Sequence, residues 1–105
     1  MSGVDVKRLP VQPNEPRDYY ETHEGSANKV FPLWEKDGVL GLDWHVWNRG
    51  TSSLTVTIDG THTVTIPAGQ DRGADNVKFG LLAVTSSVAF TAMLAGVVRR
   101  HGRAF

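Results

Sequence analysis

The residues of this chain best suited to acid–base or metal chemistry are His23, His45, His62 and His101. No two of them stand in a His-x-His or His-x-x-x-His spacing, which would present two imidazoles to one ion. His45 lies two positions from Asp43, so in a strand both would sit on one face and a carboxylate could meet the imidazole. The simpler reading is two surface residues. Glu21 and Glu24 flank His23 in a segment that offers nothing rigid to hold a metal. Asp71, Asp75 and Asn76 share a polar loop but lack the Asp-x-Asx-x-Asx-Gly spacing of a calcium loop. Serines and threonines are frequent, yet they alternate with apolar residues, as on the solvated face of a sheet. No Gly-x-Ser-x-Gly elbow and no glycine-rich phosphate loop accompanies them. The chain has no cysteine, which excludes disulfides and thiolate metal sites. These patterns predict a protein that is not an enzyme and carries no cofactor or metal.

The elements that would position these residues are strands. At 105 residues, the chain fits one domain. Val30, Phe31, Leu33 and Trp34 form a first apolar segment, and Pro32 marks it as an edge strand. Leu42, Trp44 and Val46 alternate with Asp43, His45 and Trp47. Leu54, Val56 and Ile58 alternate with threonines, Asp59-Gly60 suits a type I′ hairpin turn, and Val64 and Ile66 return. A strand from Val77 through Phe79, Leu82 and Val84 follows, then a Ser86-Ser87 turn and a last strand through Val88, Phe90 and Leu94. The expected fold is all-β, a small antiparallel sandwich or barrel of about six strands. Its core is predicted at Leu42, Trp44, Val46, Leu54, Val56, Ile58, Val64, Ile66, Phe79, Val84, Val88, Phe90 and Leu94.

The flanks read differently. Residues 1–28 are polar and broken by Pro10, Pro13 and Pro16, a three-residue spacing that fits polyproline II. They are expected to form an extended N-terminal arm with few contacts to the body, residues 29–98. Residues 99–105 form a basic tail. Partner contacts are expected at the arm's apolar side chains, Leu9, Val11, Tyr19 and Tyr20. Further contacts are expected at Trp34 and Trp47, and in the tail at Arg99, Arg100 and Phe105. Alternation turns Trp44 inward and Trp47 outward, where an aromatic is an interface anchor or a platform for a sugar. Basic and acidic residues balance at 11 each, which argues against nucleic acid as the partner. The apolar run from Val88 to Val98 falls short of the ~20 residues a membrane-spanning helix needs.

The stretch Asn48-Arg49-Gly50-Thr51-Ser52-Ser53-Leu54-Thr55-Val56-Thr57-Ile58-Asp59-Gly60 resembles small β-sandwich structural proteins of tailed bacteriophages. So do Val64-Thr65-Ile66-Pro67-Ala68-Gly69 and Val84-Thr85-Ser86-Ser87-Val88-Ala89-Phe90. The resemblance spans residues 42–96 and covers neither the arm nor the tail. It implies a virion component of the capsid decoration, neck or tail accessory type, and no catalytic residues. The partners it implies are other virion proteins and copies of the chain itself. No apolar stretch follows Met1 to Arg8 as a signal peptide would require, so synthesis in the host cytoplasm and assembly into the virion are expected. Two other readings stand beside this one. One is a carbohydrate- or receptor-binding module using Trp47 and Trp34. The other is a host-encoded β subunit or chaperone-like partner in another complex.

Overall fold

The structure is a computed structural model that describes residues 15–99. Its strands run β1 (Tyr19–Gly25), β2 (Lys29–Phe31), β3 (Val39–Asn48), β4 (Leu54–Ile58), β5 (His62–Ile66), β6 (Asp71–Ala74), β7 (Leu82–Thr85) and β8 (Phe90–Val98), with one π-helical turn, Leu33–Asp37, between β2 and β3. They form two four-stranded antiparallel sheets. Sheet A has the order β1-β8-β3-β6, and sheet B the order β2-β7-β4-β5. The chain alternates between sheets in the manner of a jelly roll, two Greek keys folded into one sandwich.

The all-β sandwich is as expected, with eight strands among the described residues where the sequence predicts about six. β1 and β6 account for the difference. β1 falls inside the segment assigned to a free arm, so the boundary at residue 28 is wrong. Tyr19 through Gly25 pair with Gly96 through Phe90, and Asp18 continues the contact, its amide donating to the Gly96 carbonyl and its carboxylate accepting from the Val98 amide. The physical reason is that β1 turns half-buried Tyr19, Glu21 and His23 toward the sandwich interior, with His23 set edge-on to the Phe31 ring. A strand with polar side chains on its inner face gives a weak hydrophobic signal. Residues 1–14 of the expected arm, with Leu9 and Val11, lie outside the described residues, as do Arg100 and Phe105 of the tail.

Two other elements differ. The apolar segment Val30–Trp34 is a strand only to Phe31. Pro32 lacks an amide to continue the ladder, and the chain then winds into the π-helical turn, which Gly38 ends in the left-handed region at φ 67°. The expected strand from Val77 to Val84 is a connection followed by β7. Within it Phe79 makes an isolated bridge to Gly41. Its ring lies so close that a Cβ at Gly41 would fall 2.6 Å from it.

Of the expected core, Leu42, Trp44, Val46, Leu54, Val56, Ile66, Phe79, Val84, Phe90 and Leu94 are buried. Ile58, Val64 and Val88 are half-buried and pack against that core from its margin. A bulge between Gly41 and Asp43 interrupts the β3–β8 register. It detaches Leu40 and Leu42 from the main core, and they join Trp34 and Val97 in a second apolar cluster. At the β4–β5 hairpin, Asp59 and Gly60 both take positive φ, 52° and 72°, as the type I′ turn requires. The Asp59 carboxylate then accepts the amides of Gly80 and Leu81, which ties the hairpin tip to the approach to β7.

This architecture predicts the outcome of a truncation. Removing residues 1–28 deletes β1, bares the outer edge of β8 and uncovers Phe31 and Phe90. The truncated chain is expected to lose its β-sheet circular dichroism or its cooperative melt. A truncation that melts cooperatively at the temperature of the full chain would show that β1 is dispensable.

Candidate interaction surface

Among the described residues the outward face of sheet A collects all the exposed large hydrophobic side chains except Val30, which lies on β2 of sheet B. Alternation places Tyr20, Thr22 and Glu24 of β1, Thr91, Met93 and Ala95 of β8, and Asp43, His45 and Trp47 of β3 on this face. Register aligns them in rungs: Tyr20, Ala95 and Asp43; then Thr22, Met93 and His45; then Glu24, Thr91 and Trp47. Met93 therefore lies diagonally between Tyr20 and Trp47, within reach of long side chains on both sides. The exposures are 71% for Tyr20, 45% for Met93 and 48% for Trp47, so the three make one accessible apolar diagonal. A shallow depression runs beside it, bounded by Tyr20, Asp43, His45 and Met93.

Charged groups frame the diagonal. The Arg49 guanidinium sits over the Trp47 ring at 5.9 Å and approaches Glu24 at 3.8 Å. On the other side His45 Nε2 is 2.8 Å from the Asp71 carboxylate of β6. The carboxylate that meets the imidazole is thus Asp71 and not Asp43. Asp43 instead takes a two-pronged ion pair from Arg17, at 2.8 and 2.9 Å. It also accepts the Asn76 amide, and the same guanidinium donates to the Asn76 side-chain oxygen at 2.7 Å. Arg17 thus staples the segment entering β1 to β3 and to the turn after β6. The paired guanidinium holds the Asp43 carboxyl below the ordinary carboxylate range, against the opposing effect of burial and with help from the Asn76 amide.

The remaining expected partner residues are scattered. Trp34 is 7% exposed, packed against Leu40, Leu42 and Val97, so its assignment to an exposed binding face is corrected. The π-helical turn rolls its indole inward, a conformation that alternation could not foretell. Tyr19 is half-buried and its hydroxyl donates to Glu21 at 2.6 Å. Burial first, then this bond, raises its pKa. Arg99 pairs with Glu15 at 2.7 Å, so this tail residue is bound to its own chain. The sequence does not mark Met93 or Arg49 as partner residues, and it offers Asp71 only as a position in a polar loop without calcium-loop spacing. Met93 carries the same alternation signal as Trp47, whereas the last two depend on loop and edge geometry.

A second concavity of about 440 Å³ opens between the sheets, with Trp44, Ile58, Ala74 and Val77 beneath and His62, Asn76 and Lys78 at its mouth. Among the described residues no group of three or more His, Asp or Glu side chains converges as a metal site, and no hydroxyl hydrogen-bonds to His45. No helix among them is long and apolar enough to cross a membrane. No protein-family model matches the chain, and neither a curated protein nor a solved structure matches it significantly.

The Arg17–Asp43 pair sets an acid sensitivity. A carboxylate whose folded pKa is depressed contributes stability above its unfolded pKa, near ~4, and loses it as pH falls through the folded value. Asp43→Asn is expected to cost about 1–2 kcal/mol in urea unfolding at pH 7. It should also flatten the loss of stability of the parent between about pH 5 and pH 2. Equal acid dependence in parent and variant would show that another carboxylate controls it.

Proposed function

We propose that the chain is a non-enzymatic structural subunit of a bacteriophage virion, which binds neighbouring subunits through the outward face of sheet A. The carrying observation is the Tyr20–Met93–Trp47 diagonal with Arg49 over the indole. Tyrosine, tryptophan, methionine and arginine are the residues enriched at protein interfaces. They stand on a four-stranded sheet, a rigid platform that loses little entropy when a partner docks. The phage setting comes from the resemblance of residues 42–96 to small β-sandwich virion proteins, of the capsid decoration, neck or tail accessory type.

A second reading has its own observation. Trp47 is rimmed by the Arg49–Glu24 ion pair and the His45–Asp71 hydrogen bond, an aromatic plate edged by hydrogen-bonding groups that would suit a sugar. It ranks second because Arg49 lies over the ring, so a sugar stacked on that side must first displace the guanidinium.

Co-sedimentation of the tagged full chain with particles that lack it tests the first reading. Trp47→Ala should weaken the association about tenfold or more while leaving the melting temperature nearly unchanged, because the indole is surface-mounted. Unchanged association in Trp47→Ala, Tyr20→Ala and Met93→Ala would remove sheet A as the contact face. A glycan screen of the full chain, positive in the parent and lost in Trp47→Ala, would replace the first reading with the second.

A further inference from the structure

The four sheet edges are not equally protected. β1 carries Glu21 and Glu24. β6 has only Asp71–Ala74, with Asp71 and Arg72 charged. β2 is three residues long, begins with Lys29 and is followed by Pro32. Short strands, charges and prolines are the ordinary means of blocking strand addition. β5 is followed by Pro67 as β2 is by Pro32, but within its five residues it has none of these devices. It presents His62-Thr63-Val64-Thr65-Ile66, with no Asp, Glu, Lys or Arg, no proline and no bulge, and it pairs with β4 alone among the described residues. Thr63 and Thr65 are exposed and Val64 is half-buried.

The strand already on its other side shows what β5 pairs with. β4 is Leu54-Thr55-Val56-Thr57-Ile58, nearly the same sequence. The two run antiparallel with Val56 opposite Val64, Thr55 opposite Thr65 and Thr57 opposite Thr63. A second copy of β5, laid antiparallel on the free edge and centred on Val64, presents the same Thr-Val-Thr set. Valine would again face valine, and Thr63 would face the partner's Thr65. Two identical strands paired antiparallel about one residue are related by a two-fold axis, so this pairing is isologous and closes on itself. We infer that the β5 edge is a homodimer interface, in which two copies join their B sheets through β5–β5 pairing about an axis at Val64. The inference uses the opposite sheet from the surface proposed above and stands independently of it.

Sedimentation velocity on the full chain, extended to about 100 µM, should give a dimer mass that dissociates on dilution. The double variant Thr63→Lys/Thr65→Lys sets lysine against the partner's lysine on the solvated face and should be monomeric with an unchanged circular dichroism spectrum. The absence of native cysteine makes cross-linking specific. Val64→Cys should form a disulfide dimer with itself under mild oxidation. Thr63→Cys and Thr65→Cys should each cross-link poorly alone but well when mixed, because each faces the other across the axis. A parent that stays monomeric, a lysine variant that stays dimeric, or a Val64→Cys chain that does not cross-link would overturn the interface. Loss of particle binding in Trp47→Ala with the dimer intact bears on sheet A alone.

Discussion

Sheet A depends on β8 fitting between β1 and β3. This strand comes from the end of the described chain, and one neighbour, β1, from its beginning, so the sheet forms only when residues some seventy positions apart meet. The fit requires small residues. A Cβ at Gly96 would lie 2.3 Å from the Leu40 carbonyl oxygen, closer than any real side chain can stand, and Gly96 faces Gly41 across the pair. Gly41 in turn leaves room for the Phe79 ring. The close approach of these two backbones lets one aromatic seal the end of the core while the β3 ladder continues past the bulge. Such non-local pairing makes folding slow and unfolding cooperative.

Polar groups then lock the loops that this sheet leaves open. Asn48 is fully buried. Its side-chain amide donates to the Ser52 and Ile66 carbonyls at 2.8 and 2.9 Å and accepts the Gly50 amide at 2.9 Å. One side chain therefore fixes the β3–β4 connection and joins it to the end of β5. Asp59 does the same for the hairpin tip, and Arg17 with Asp43 for the turn after β6. A buried polar group satisfied as fully as Asn48 acts as a positional constraint, because any rearrangement leaves it unpaired at a cost of about 1–3 kcal/mol. Trp47 and Arg49 lie either side of Asn48, so the same network steadies the end of the apolar diagonal.

Much of this was legible in the sequence. The alternation of Leu54 through Ile66 marks the β4–β5 hairpin, and Asp59-Gly60 its turn, because there the apolar face and the buried face coincide. Alternation also turns Trp44 inward and Trp47 outward. It fails where burial and apolarity part. β1 points Tyr19, Glu21 and His23 inward, and its Tyr-Tyr-Glu-Thr-His-Glu-Gly sequence reads as a polar flank. β6 is an exposed edge of Asp-Arg-Gly-Ala whose one apolar side chain against the core is Ala74. The Gly41–Asp43 bulge shifts the phase of β3, which no period-two count registers. The Tyr20–Met93–Trp47 diagonal needed the partnering of β1 with β8 and β8 with β3, information that resides in topology and not in any one strand.

The two proposed surfaces are geometrically compatible, and their combination has a consequence neither has alone. A two-fold axis relating antiparallel neighbours within one sheet stands perpendicular to that sheet. Pairing β5 with its copy would extend sheet B to eight strands, twice its present four, and keep both A sheets on the same side of it. Both Tyr20–Met93–Trp47 diagonals would then face one direction. A dimer so built meets an extended surface with two patches at once. The second contact is intramolecular once the first has formed, and gains the effective concentration of a rigid linker, provided the surface repeats at the spacing of the two patches. Weak individual patches of mixed aromatic and charged character suit such an arrangement better than one strong site, because a lattice of identical subunits offers the same patch many times. A glycan-binding module presented in pairs would gain by the same arithmetic. The dimer edge is therefore neutral between the two readings of sheet A, and the choice between them rests on what displaces Arg49 from the Trp47 ring.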